Sequence, residues 1–196
     1  MINYKDHPVF HEYDYVAGND PGGTGGLSIF DRFGLQSTGY HIALPTKEGM
    51  ERRNIGMAYS LVNEISEVTT SEMAAYLASI GKPTPFPPRI LFVIENNVVY
   101  GKSRAGAAMT QREMIAVTAA YAHKAGYDVM RVVPKEAKIA LTGNGSADKP
   151  QMVAAVRLEF PGIMEDLSSK AKREAVADSM GIAMAGMDKY IKQEDK

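Results

Sequence analysis

The segment Arg89 to Glu95 (RILFVIE) constrains this chain more than any other stretch. It is short, continuously apolar and rich in β-branched residues, which marks a strand buried on both faces. Such a strand belongs to a sheet with helices packed on each side. The single carboxylate of the run, Glu95, falls at its C-terminal end. Gly81 to Pro88 (GKPTPFPP) precedes it with four prolines in eight residues, a composition that neither a helix nor a central strand tolerates.

The neighbouring segments supply the rest of that sheet and its helices. Tyr13 to Asp20 (YDYVAGND) reads as a strand ending at the turn Pro21-Gly22-Gly23. Gly26 to Asp31 (GLSIFD) follows closely enough to pair with it as a hairpin, and Ser37 to Leu44 (STGYHIAL) makes a third strand. Apolar residues at helical spacing predict a helix from Lys47 to about Val68 and a shorter one from Ser71 to Ile80. After Glu95 come a helix from about Ala107 to Ala125, a strand from Tyr127 to Val133, and a short helix from Pro134. A Gly-rich turn at Thr142 to Gly145 then leads to helices at Ala147 to Phe160 and Ser169 to about Tyr190. This order, βββαβαβα with further terminal helices, implies an α/β fold: a mixed five-stranded sheet flanked by α-helices. We read residues 1–12 as an arm, 13–191 as one domain, and Lys192 to Lys196 as a disordered tail.

Composition narrows the class. With 196 residues and 45% hydrophobic content, the chain can bury one sizeable core. It has no cysteine, which excludes disulfides, thiolate metal sites and a cysteine nucleophile, and favours a cytoplasmic setting. No signal-peptide core or bilayer-length apolar run is visible, so no membrane is expected. The net charge of −1 argues against a surface that wraps nucleic acid uniformly. Its distribution is uneven, however: Gly101 to Arg157 holds nine basic residues against four acidic ones, which permits a phosphate-binding side.

Three carboxylates stand out by position. Asp20 ends the first strand, Glu95 ends the fourth, and Asp178 lies in a small, apolar helical stretch (AVADSMGIAMAG). Taken singly, each has an ordinary reading as a turn residue, a strand-end acid or a helix residue on a wet face. Taken together, carboxylates converging from two strand ends and a helix form an all-oxygen site suited to Mg²⁺ or Mn²⁺. The four histidines, His7, His11, His41 and His123, show no paired ligand spacing, so zinc is not expected.

At these same residues the sequence resembles the RuvC family of junction-resolving endonucleases, in four blocks. Gly18-Asn19-Asp20-Pro21-Gly22 is similar to the family's G-x-D-P-G motif, whose Asp binds metal, and Ile94-Glu95 to its second block. Val133 to Met152 is similar to a pattern of Pro, a lysine four residues on, then G-x-G-x-A-[DE]-K-x-Q-[VM]. Ala177 to Ala183 is similar to A-D-A-L-A-[IV]-A on the last helix. The resemblance covers roughly residues 13 to 188 and implies the RNase H-like fold. It further implies a metal-dependent nuclease that cuts branched DNA, preferentially four-way (Holliday) junctions, by paired nicks as a homodimer. Asp20, Glu95 and Asp178 are then the expected ligands of two Mg²⁺ ions, for which Mn²⁺ can substitute, and Lys149 and Lys138 are the expected catalytic cations at the phosphate. DNA contacts are expected from Tyr100, Lys102, Arg104 and Lys135.

The chain departs from the family in two places. Where a second Asp stands three residues before the last one, this chain has Ala175, with Glu174 one turn from Asp178 as a possible substitute. Where the family carries a stacking aromatic after the second-block Glu, this chain has Val98, with Tyr100 nearby. These departures fit a distant, phage-type member. Ala175 also supports another reading, a catalytically silent protein that binds branched DNA. A further reading starts from Asp20 to Gly25 (DPGGTG), which resembles the first phosphate loop of sugar kinases and actin-like ATPases; the chain has no second copy of that loop and is short for such an enzyme.

Overall fold

A computed structural model describes residues 6–21, 24–32, 37–42, 50–82, 87–96 and 105–194. Its centre is β4 (Ile90–Glu95), buried along its full length as the apolar run requires. β1 (Tyr15–Asp20) and β5 (Asp128–Val132) flank it in parallel. β2 (Thr24–Asp31) pairs antiparallel with β1, and β3 (Ser37–Ile42) antiparallel with β2. The result is a mixed sheet of order β3-β2-β1-β4-β5. The expected hairpin and the expected class are both present. Gly22 and Gly23, on which the phosphate-loop reading leans, lie outside the described residues.

Strand alternation sorts the core into two layers. Tyr15, Ala17, Ile90, Phe92 and Ile94 face α1 (Met50–Ser79) and α2 (Ala105–Lys124). Val16, Leu91 and Val93 face α3 (Pro134–Thr142), α4 (Lys149–Glu159) and α5 (Lys170–Glu194). The same parity places Gly18, Asp20 and Glu95 on the α5 side. That shared face is what allows the two strand-end carboxylates to meet.

α5 crosses this face in close contact. A Cβ built on Gly26 would lie 2.0 Å from the Ala175 carbonyl oxygen, and one on Gly18 would lie 2.3 Å from that of Ser179. Glycine at both positions lets helix backbone rest directly on strand backbone. Between them the Ser28 and Ser179 hydroxyls form a buried 2.6 Å hydrogen bond. This packing fixes where Asp178 sits.

Three expectations need correction. The two helices expected over residues 47–80 are one helix, α1, of 30 residues. Thr69, at the expected junction, is fully buried and donates its hydroxyl to the Ile65 carbonyl at 2.7 Å, so it is satisfied inside the helix. The final helix runs on through Lys192 to Glu194, residues expected in a disordered tail. Within the arm, Pro8–His11 forms a 3-10 turn whose Val9 and Phe10 are buried in the α5-side core, so these residues belong to the domain. Below them, Tyr190 donates to Glu12 at 2.6 Å.

Candidate active site

β1 and β4 are parallel neighbours with Asn19 level with Ile94, so the next residues, Asp20 and Glu95, stand side by side at the C-terminal ends of adjacent strands. Strands pair about 4.8 Å apart, which brings the two carboxylates into mutual reach on one face. In open α/β sheets this edge is where ligands gather.

Helices complete a cavity of about 550 Å³ around this pair. α5 brings Asp178, α3 brings Lys138, and the start of α4 brings Lys149. α3 starts at Pro134, directly after β5, and Glu136 closes its first turn by accepting from the Val133 amide at 2.8 Å. α4 is capped by Asp148, which accepts from the Gln151 amide at 2.9 Å while Gln151 accepts from the Asp148 amide at 2.9 Å. That reciprocal cap orients the first turn of α4, and Lys149 forms an ion pair with Asp178.

The floor and the wall differ in charge balance. Burial, and next the charge of Asp20, push the Glu95 carboxyl up to about 7, against the opposing pull of Lys149 and Lys138. Burial also raises the Asp20 carboxyl, again against Lys149. Two desolvated acids of like charge therefore share the floor, which favours either a proton or a cation between them. Asp178 already holds an ammonium. Among the described residues no three acid or imidazole side chains close together as a ready metal-ligand group.

All five candidate catalytic residues, Asp20, Glu95, Lys138, Lys149 and Asp178, thus line one cavity. Lys135 is exposed, packs its stem over Gly145 and does not line it. Glu174, considered as a stand-in for an acid at position 175, lines a different depression and pairs with Lys170 at 3.6 Å. One helical turn has carried it about 5.4 Å along α5, away from the cavity. Ala175 is 3% exposed beneath its contact with Gly26. Val98, Tyr100, Lys102 and Arg104 lie outside the described residues. The cavity also contains Gln111 of α2 and the cap residue Asp148. Gln111 gives no sequence signal, because one polar residue in a helix is ordinary; Asp148 could have been found as the cap of a D-x-x-Q box.

No family model matches the chain. A curated RuvC crossover junction endodeoxyribonuclease from Anaeromyxobacter sp. (strain K) is 35% identical over 79 residues, 40% of this chain and 42% of that protein. The match thus spans less than half the length of that relative. The Thermus thermophilus RuvC structure superposes with a TM-score of 0.57 at 22% identity, covering 91% of this chain and 96% of that one. The same protein in complex with a Holliday junction substrate gives 0.57 at 20% identity, over 90% of this chain and 95% of that one. The yeast mitochondrial Holliday junction resolvase Ydc2 gives 0.57 at 14% identity, over 92% and 80%. The resemblance to RuvC resolvases is therefore carried twice, by sequence over the matched 79 residues and by an RNase H-like fold over nine-tenths of the chain.

Proposed function

We propose that this chain is a metal-dependent endodeoxyribonuclease that binds branched DNA and resolves four-way junctions by paired, symmetric nicks. The observation that carries the reading is the cavity itself. Residues 20, 95, 138, 149 and 178 are scattered over most of the sequence, yet the fold gathers the five of them at one sheet edge. The match to RuvC proteins, one of them solved with a Holliday junction, supports the substrate class.

The residues present fit a divalent cation. Asp20 and Glu95 are hard oxygen donors, Glu95 buried and Asp20 half-buried, both desolvated by their surroundings, and Asp178 is a third oxygen donor in the same cavity. Bound there, two Mg²⁺ ions, or Mn²⁺ in their place, would supply a water nucleophile and neutralise the charge on the leaving oxygen. The chain's own groups perform the remaining tasks. Asp20 and Glu95 define the floor on which the scissile phosphate rests. Lys149, swung from Asp178, and Lys138 donate to the phosphoryl oxygens as negative charge grows there. The apolar neighbours Met152 and Ala137 limit the water around them. Tyr100, Lys102, Arg104 and Lys135 contact the DNA. A homodimer would present two such cavities to two opposed strands, matching a junction's twofold symmetry, and the work would take place in the cytoplasm. No helix among the described residues is long and apolar enough to cross a membrane.

Ala175 favours a second reading, in which the chain binds branched DNA without cutting it. Both are tested on a labelled four-way junction in Mg²⁺, with matched linear duplex as control and Ala175→Asp run in parallel. Paired cuts by the unaltered chain support a resolvase that works without the fourth acid. Cuts by Ala175→Asp alone support the silent binder, and no cuts by either folded protein overturn the nuclease reading.

A further inference from the structure

A second depression follows the outer side of the same helices. Between α4 and α5 a groove of about 570 Å³ is lined by Pro150, Arg157, Leu158, Lys170, Arg173 and Glu174, among others. It begins where the active-site cavity ends. Lys149 lines the cavity and Pro150 the groove; Asp178 lines the cavity and Glu174, one turn earlier on α5, the groove. The two depressions are therefore consecutive along one pair of helices.

The charge in the groove is unlike that of the molecule. The whole chain carries −1, whereas the groove presents Arg157, Lys170 and Arg173 against Glu174 alone. Glu174 is offset by Lys170 at 3.6 Å. Arg173 donates one guanidinium nitrogen to the Leu167 carbonyl at 2.6 Å, which holds its fork in place with other N–H groups left to donate. Arg157 is exposed and faces the groove. A held Arg173 guanidinium beside an exposed Arg157, with the groove's one acid already offset, suits an anionic polymer.

The spacing suits it too. Eight residues separate Lys149 from Arg157, about 12 Å of helix rise, and a DNA strand carries one phosphate per ~3.4 Å of duplex axis. The groove thus spans roughly three to four nucleotides beyond the cavity. We propose that the α4/α5 groove carries the phosphate backbone of one DNA arm away from the scissile phosphate. This rests on the branched-DNA reading above. Leu158, 76% exposed, would be covered by the sugar edge of that strand.

The test is junction binding by the full chain in EDTA, titrated across salt concentrations. Arg157→Ala with Lys170→Ala should make the slope of log affinity against log salt shallower by roughly two and weaken binding roughly tenfold near 100 mM salt. Glu174→Gln should shift binding the other way and tighten it. Lys82→Ala with Lys124→Ala, which removes exposed cations elsewhere, should leave the slope unchanged. The proposal is overturned if the groove pair keeps the unaltered slope, which would leave the groove to a protein partner, or if the control pair lowers it equally. If the unaltered chain binds no branched DNA, the function proposed above fails first, and this inference fails with it.

Discussion

The floor and the wall of the cavity are both built from charged groups, yet they are built differently. The floor, Asp20 and Glu95, comes from two adjacent strand ends locked by backbone pairing, and desolvation raises both acids against the pull of nearby lysines. The wall, Lys138, Lys149 and Asp178, comes from three helices, and its central pair neutralises itself. The Lys149 side chain is 53% exposed and that of Asp178 14%. Under the proposed function, the desolvated floor is where a cation would bind, and the accessible Lys149–Asp178 pair is the part that would have to open for it.

The comparison can be broken at several strengths. Gly26→Val should disrupt both regions at once, since even a Cβ there would enter the Ala175 carbonyl; we expect the thermal transition to fall by ten degrees or so, or folding to fail, on a loss of several kcal/mol. Lys149→Ala should keep the fold, because an exposed pair stabilises by about 1 kcal/mol or less. It should also lower the single-turnover nicking rate about 10²- to 10³-fold. A Lys149→Ala enzyme that cuts at full rate would show the wall to be structural.

The floor makes a prediction of opposite kind. Because folding raises the Glu95 carboxyl from 4.5 to about 7, its contribution favours the fold below pH 4.5 and is lost as pH rises through about 7. In metal-free buffer at pH 8, Glu95→Gln should therefore be more stable than the unaltered chain, by on the order of 3 kcal/mol, and melt higher. Mg²⁺ should raise the melting temperature of the unaltered chain and do so less for Glu95→Gln. Equal melting curves for the two proteins at pH 8 would remove the distinction between floor and wall. The smallest effect is expected at Glu174→Gln, which should leave the cleavage rate at saturating DNA unchanged, since that side chain faces the neighbouring groove.

These regions were also unequally legible in the sequence. The floor could be read directly, since a continuous apolar run ending in one carboxylate gives both a buried strand and its functional end. The parallel register that sets Asp20 beside Glu95 could not, because it depends on pairing across seventy-five residues. The continuity of α1 across the expected junction was not legible, because it depends on Thr69 being buried and bonded back to Ile65. Glu174 shares a face with Asp178 by helical period, but which of two consecutive depressions it lines depends on where α4 meets α5. Gln111 is delivered by α2 from across the sheet, and nothing local in the sequence announces it.

The most direct test of the central claim, that the strand-end acids are the floor of a nuclease site, is cleavage of a labelled four-way junction by Asp20→Asn in Mg²⁺, with junction binding measured on the same protein. Should the unaltered chain prove silent, the same change is made on Ala175→Asp. The account predicts that nicking disappears while binding stays within a few-fold of the parent protein. Normal cutting by Asp20→Asn would contradict it.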